Sequence, residues 1–138
     1  MSRKTTMKKL STPMFFIILS SFLCGFLPPK HSSLKIEPSI SELRQGQEVE
    51  LKFIVVPNKD MMVTPEGPWK LTIKNQKGLD LDKSPYQNKS FNQAIPGFTL
   101  KTKVKDSTVS FDYEVKSFIC TKDKKRCYPE LHKGTFKK

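Results

Sequence analysis

Histidine is scarce in this chain of 138 residues: there are two, and neither belongs to a nucleophile motif, so Ser-His-Asp hydrolysis has no local support. No glycine-rich cradle for phosphate occurs among the six glycines, which argues against a nucleotide enzyme. Internal repeats, low-complexity linkers and helically spaced apolar stretches are missing too. The length suits one ordinary domain with a short appendage, so neither a multi-domain enzyme nor a polytopic membrane protein is expected. Apolar content is low at 36%, but ten phenylalanines are too many for a disordered chain. A small all-β domain fits best.

Twenty-five Lys and Arg face 13 Asp and Glu, a formal charge of +12. Part of that excess lies at the start, where Arg3, Lys4, Lys8 and Lys9 precede the apolar run Met14 to Leu27 and the block contains no acid. A basic segment followed by about 7–15 apolar residues is the pattern of an export signal, whereas a bilayer span needs about 20. Residues 1–27 are therefore read as a signal peptide or N-terminal anchor, residues 28–33 as a tether, and residues 34–138 as the folded domain. An A-x-A-like cleavage site is absent. Cys24, at the end of the apolar run, stands where lipoproteins carry a lipidated cysteine, although Leu23 before it is larger than the residue such signals use. Cleavage, lipidation and an uncleaved anchor all imply a periplasmic or other extracytoplasmic domain. Without its four leading cations that domain keeps a positive surplus of eight.

From Leu34 onward the apolar pattern has period two, interrupted every ten or so positions by turn residues. Val49, Leu51, Phe53 and Val55 alternate with polar neighbours, as do Trp69, Leu71 and Ile73, then Phe98, Leu100 and Val104, and finally Val109, Phe111, Tyr113 and Val115. Strands with one apolar face must bury it, and without helices the cover is a second sheet. The expected fold is an immunoglobulin-like β-sandwich of about seven strands. Lys74 to Asn92 is the longest irregular stretch, expected to hold a short strand at Leu79–Leu81.

The chemistry lies near the end, in the segment from Phe118 to Glu130 that contains Cys120 and Cys127. Exported chains live where disulfides persist, so these two are expected to pair. With odd parity buried in the preceding strand, Cys120 points away from the sandwich core if no bulge intervenes. Six residues separate the cysteines, which suggests two adjacent antiparallel strands joined by a charged turn. Closing so short a loop contributes roughly 2–3 kcal/mol on the chain-entropy estimate, so stability is a weak reason for the bridge. The turn holds Lys122, Lys124, Lys125 and Arg126 against the single Asp123. Positive charge near sulfur favours thiolate, making the pair easier to reduce than a buried structural bond.

Cys127-Tyr128-Pro129-Glu130, with Cys120 shortly before it at the end of a long strand, resembles the amino-terminal periplasmic domain of the thiol:disulfide interchange protein DsbD and the wider family of disulfide-corrector domains. The resemblance covers residues 48–136 and is strongest over 113–130. It implies an immunoglobulin-like sandwich that relays electrons between thioredoxin-like partners or from a membrane thiol reductase. It also implies that Cys127 forms the mixed disulfide, that Cys120 resolves it, and that Tyr128 and Pro129 belong to the motif. Tyr86 is the counterpart, by chain order, of an aromatic cap residue that shields the pair. The cysteine spacing is one residue longer than in DsbD and Glu130 replaces a second proline. With no transmembrane reductase attached, electrons would come from a separate protein.

Other readings of the same residues stand beside this one. The bridge could be a structural staple in a non-enzymatic extracytoplasmic binding or adaptor module. Cys120, Cys127 and His132 make a thiolate and imidazole set of the kind that suits copper(I) or zinc, but no fourth ligand is evident and His132 reads as a solvated surface residue. No metal or cofactor is expected. Met61 and Met62 read as strand packing, Trp69 as core, and His31, in the tether, needs no role. The Lys101, Lys103, Lys105 alternation forms a basic face that suits acidic proteins or anionic lipid head groups; nucleic acid is not expected of an exported chain.

Overall fold

Alternating burial organises the strands of the computed structural model, which describes residues 29–82, 84–88, 91–92 and 94–138. The signal or anchor segment 1–27, with Cys24, lies outside the described residues. Nine strands follow in order: β1 (Ser32–Glu37), β2 (Glu48–Pro57), β3 (Met61–Val63), β4 (Lys70–Lys77), β5 (Tyr86–Gln87), β6 (Phe91–Asn92), β7 (Gly97–Lys103), β8 (Ser110–Thr121) and β9 (Cys127–Lys137). One 3₁₀ turn spans Ile40–Glu42, and no helix among the described residues is long and apolar enough to cross a membrane.

The strands form two sheets. One runs β1-β2-β7-β6. In the other, β8 is central: β9 pairs along one side of it, while β4 and β3 share the opposite side end to end and β5 borders β4. All these pairings are antiparallel. Val49, Leu51, Phe53 and Val55 from β2 meet Leu71 and Ile73 from β4 and Phe111, Val115 and Ile119 from β8 in one core. Each such side chain, removed from water, contributes about 1.5–3 kcal/mol. Trp69 packs there too, its ring 4.5 Å from that of Phe91, with its indole N–H donating to the Thr64 carbonyl at 2.6 Å.

The chain is thus all-β with two sheets, as its alternation implies, but three details differ from expectation. Nine strands replace about seven, because very short strands such as β3, β5 and β6 carry too few residues to show a period. Leu79 makes only an isolated bridge to Val104, so Leu79–Leu81 is not a strand. Strand β1 begins at Ser32, inside the segment read as a tether.

Candidate functional site

The β8–β9 hairpin owes its shape to its own polar residues. The Thr121 hydroxyl donates to the Asp123 carboxylate, which also accepts the Lys125 N–H at 3.0 Å. These bonds, the Thr121 hydroxyl first, hold the Asp123 carboxyl below its ordinary pKa. Lys124 takes the left-handed conformation at φ 58° that lets the chain reverse. Thr121 N–H donates to the Arg126 carbonyl at 2.8 Å. In an antiparallel ladder the next pair inward is then of the closely spaced, non-hydrogen-bonded kind. That pair is Cys120 and Cys127, directly opposed with Cα atoms 4.0 Å apart and the sulfurs joined at 2.02 Å.

The pairing register of β8 and β9 continues without a bulge from Ser110 to Cys120, so parity decides which way the disulfide points. Val115 and Ile119 face the core, and Cys120 shares the outer face with Phe118 and Lys116. Even so, Cys120 is only 2% exposed, whereas Cys127 is exposed. The difference follows from neighbours on the outer face: Met62 stands opposite Cys120 on one side, Cys127 on the other, and Phe118 lies two residues back. A second apolar layer therefore flanks one sulfur and leaves the other at the rim.

The loop between β3 and β4 fits closely over Phe118. Thr64 N–H donates to the Phe118 carbonyl at 3.2 Å, and a Cβ added at Gly67 would fall 2.0 Å from Cγ of the Phe118 ring. Gly67→Ala is therefore expected to lower stability by about 1–3 kcal/mol through overpacking. A reduced urea midpoint, with faster alkylation of Cys120 in the reduced protein, is the expected result; an unchanged midpoint would mean that the loop simply lifts away.

Tyr86 does not shield the disulfide. It faces Leu71 across the β4–β5 pairing and packs on the core, with its hydroxyl donating to the Asp82 carbonyl at 3.1 Å. Leu71 in turn pairs with Val115, five residues short of Cys120. Two strand spacings and five residues amount to roughly 20 Å. Chain order misplaced this residue because β5 lies at the far edge of the sheet; Met62 and Phe118 occupy the shielding position.

Lys122, Lys124, Lys125 and Arg126 are all exposed around the turn, and none has an ion-pair partner among the described residues. Pro129 is exposed and pairs with Phe118 at a position whose backbone N–H would face away from β8, so its missing donor costs the ladder nothing. Tyr128 has inward parity and stacks on His31, ring centroids 4.2 Å apart.

Beneath that stack lies a polar cluster that sequence reasoning missed. The Glu130 carboxylate accepts the backbone N–H of His31 on one oxygen and the Ser32 hydroxyl on the other. His132 Nε2 is 2.9 Å from Ser32 Oγ and 3.6 Å from the carboxylate. The Glu130 and His132 side chains are 9% and 6% exposed. Burial pushes the His132 pKa below its ordinary value, Glu130 opposes that shift, and Lys30 adds to it. His132 is thus no solvated histidine and His31 is no idle tether residue. Their spacing carried no signal, because the partners lie about a hundred residues apart in the chain. His132 also points to the face opposite that of the cysteines, which removes it from any shared metal site; no group of three potential ligands occurs among the described residues.

Ser32, His132 and Glu130 are also not a hydrolytic triad. The same imidazole nitrogen faces both the hydroxyl and the carboxylate, and the serine is buried. The chemistry available at the surface is that of a disulfide with one accessible and one shielded sulfur, set beside four exposed cations. Comparisons with models of protein families, with curated proteins and with solved structures find no match to this chain.

Proposed function

We propose that this is an exported thiol-disulfide exchange domain, similar to the DsbD amino-terminal domain, which passes electrons between thioredoxin-like proteins through Cys120 and Cys127. The observation that carries the reading is the unequal exposure of the two cysteines at the hairpin tip. Exchange needs one sulfur that a partner can reach along the S–S axis and a second that stays with the domain. A partner thiolate attacks Cys127 Sγ, the S–S bond breaks, and Cys120 leaves as thiolate. A second partner thiolate then attacks the mixed disulfide at the partner's sulfur and releases Cys127. Two electrons enter the domain, and the partner leaves as a disulfide. Delivery to an oxidised partner is the reverse: Cys127 thiolate opens the partner's disulfide and Cys120 displaces it. Lys122, Lys124, Lys125 and Arg126 favour the departing thiolate, an effect that salt weakens because these residues are exposed.

Redox titration of the purified protein against glutathione or dithiothreitol buffers tests the reading. A midpoint potential above about −300 mV is expected. A potential below that value identifies an inert staple and returns the domain to the binding or adaptor class.

A further inference from the structure

The outer face of the β8–β9 ribbon holds more than the disulfide. Successive cross-strand rows place Met62, Cys120 and Cys127 together, then Phe118 and Pro129, then Lys70, Lys116 and Leu131. Leu131 is 45% exposed, one of two large hydrophobic side chains so exposed among the described residues. It adjoins a cleft of about 420 Å³ between residues 29–31 and 128–131. The disulfide thus sits in an apolar strip that runs from the hairpin toward the free edge of β9.

Positive charge surrounds that strip. Lys70 and Lys116 oppose each other directly across the β4–β8 pairing, an arrangement that costs stability through like-charge repulsion. Neither lysine, nor Lys133, has an ion-pair partner among the described residues. In the turn, Asp123 is already occupied by Thr121 and Lys125 N–H. Asp112 lies at the far end of the sheet, held by Asn75 and Thr135, and Glu114 is engaged by Lys74. Among the described residues the turn cations, Lys70 and Lys116 thus form no ion pair, whereas Lys133 stands opposite Glu114 in the β8–β9 pairing.

We propose that this face docks a protein whose reactive cysteine lies in an apolar patch ringed by Asp and Glu. The inference rests on the exchange reading and names the chemistry of the partner. An acidic ring relieves the repulsion between Lys70 and Lys116, the apolar centre covers Met62, Phe118, Pro129 and Leu131, and the cleft accepts an apolar side chain beside Leu131. A lipid surface fits less well. Bilayer binding draws on protruding apolar side chains, whereas Met62 and Phe118 are half-buried and a head group supplies no thiol to the disulfide.

The test uses the oxidised protein and three cysteine peptides of equal length. In each, the cysteine is flanked by leucines and then by four Glu, four Gln or four Lys. Each rate of mixed-disulfide formation is normalised to the same peptide's rate with hydroxyethyl disulfide, which cancels differences in thiol ionisation. At low salt the Glu peptide is expected to react about ten-fold faster than the Gln peptide and the Lys peptide more slowly, with the gap closing at high salt. Lys70→Glu, Lys116→Glu and Lys133→Glu together are expected to remove most of the Glu peptide's advantage while leaving reduction by uncharged dithiothreitol unchanged. Lys124→Glu with Lys125→Glu, confined to the turn, serves as a second variant expected to lower the ratio of the Glu to the Gln peptide's rate in the same direction, while also slowing dithiothreitol because these cations favour the departing thiolate. Equal rates for all three peptides, with dithiothreitol still active, would overturn the docking proposal alone. A midpoint below about −300 mV would instead overturn the exchange reading on which the proposal rests. Binding of the oxidised protein to phosphatidylglycerol vesicles at physiological salt, abolished in the triple variant, would assign the face to membrane and overturn the proposal for a protein partner.

Discussion

Cys120→Ala should be trapped as a mixed disulfide through Cys127 at least about 100-fold faster than Cys127→Ser is trapped through Cys120, when each variant meets an excess of a small aromatic disulfide. The expectation follows from exposure. Cys127 sits at the rim of the hairpin, while Cys120 is 2% exposed between Met62 and Phe118. A buried thiol reacts only after local opening, and a 100-fold difference corresponds to about 2.8 kcal/mol of opening free energy. Both variants lose the same cross-link, worth roughly 2–3 kcal/mol, so the loss of the staple cancels from the comparison. In the compartment where the protein resides, Cys120→Ala is likewise expected to accumulate mixed disulfides with thiol proteins, and Cys127→Ser to accumulate few. Equal trapping of both variants in vitro would show that Cys120 is as reachable as Cys127, and the division into attacked and resolving sulfurs would fail.

The outward direction of Cys120 was legible in the sequence because it depends only on the parity of one uninterrupted strand, read from Val109, Phe111 and Val115. Its burial was not legible. The cover comes from Met62 on a three-residue strand and from Phe118, pressed by the loop that holds Gly67, and none of these is tied to Cys120 by local spacing. The long strands β2, β4, β7 and β8 announced themselves because their inward residues are apolar, and alternation of that kind has one physical cause. Strand β9 has the same alternation of burial but places Tyr128, Glu130, His132, Gly134 and Phe136 on the inward side. A polar residue can occupy an inward position when a distant donor satisfies it, and here the donors come from His31 and Ser32. Period-two reading counts apolar residues, so it found the hairpin through its cysteines and missed what the hairpin buries. Tyr86 was misplaced for a related reason: chain order says when a residue arrives at a sheet, and pairing decides at which edge.

Glu130→Ala is expected to destabilise the domain by about 3–5 kcal/mol, a large part of the roughly 5–15 kcal/mol that a domain of this kind possesses. Truncation leaves the His31 N–H and the Ser32 hydroxyl buried or half-buried without their acceptor, and removes the charge that His132 faces. Glu130→Gln keeps one acceptor oxygen and the side-chain shape, so its loss should be smaller; urea unfolding of both variants measures the difference. Faster hydrogen exchange at Ser32–Glu37 than in β2 should accompany the loss, since β1 is tied to β9 through this carboxylate. The cluster also sets a pH dependence. With the Ser32 proton committed to Glu130, its oxygen accepts from His132 Nε2–H, a donor that the neutral Nε2-protonated ring and the imidazolium both present, so it is burial and not this bond that disfavours the charged ring. The folded-state pKa of His132 lies below the ordinary 6.5 because of burial, with Lys30 reinforcing and Glu130 opposing the shift. A depressed pKa means that the unfolded chain binds the proton first. The contribution is therefore complete above 6.5 and is lost as pH falls through the folded value, with a slope of at most about 1.4 kcal/mol per pH unit. His132→Gln should flatten the stability profile in that window while leaving the steeper loss below about pH 4, where Asp112 and Asp123 with their lowered pKa values become protonated. In Glu130→Gln the opposing charge is gone, so the His132 window should extend to lower pH. An unchanged profile in both variants would mean that the imidazole does not titrate within the fold, and the polar contact between β1 and β9 would then owe its strength to the carboxylate alone.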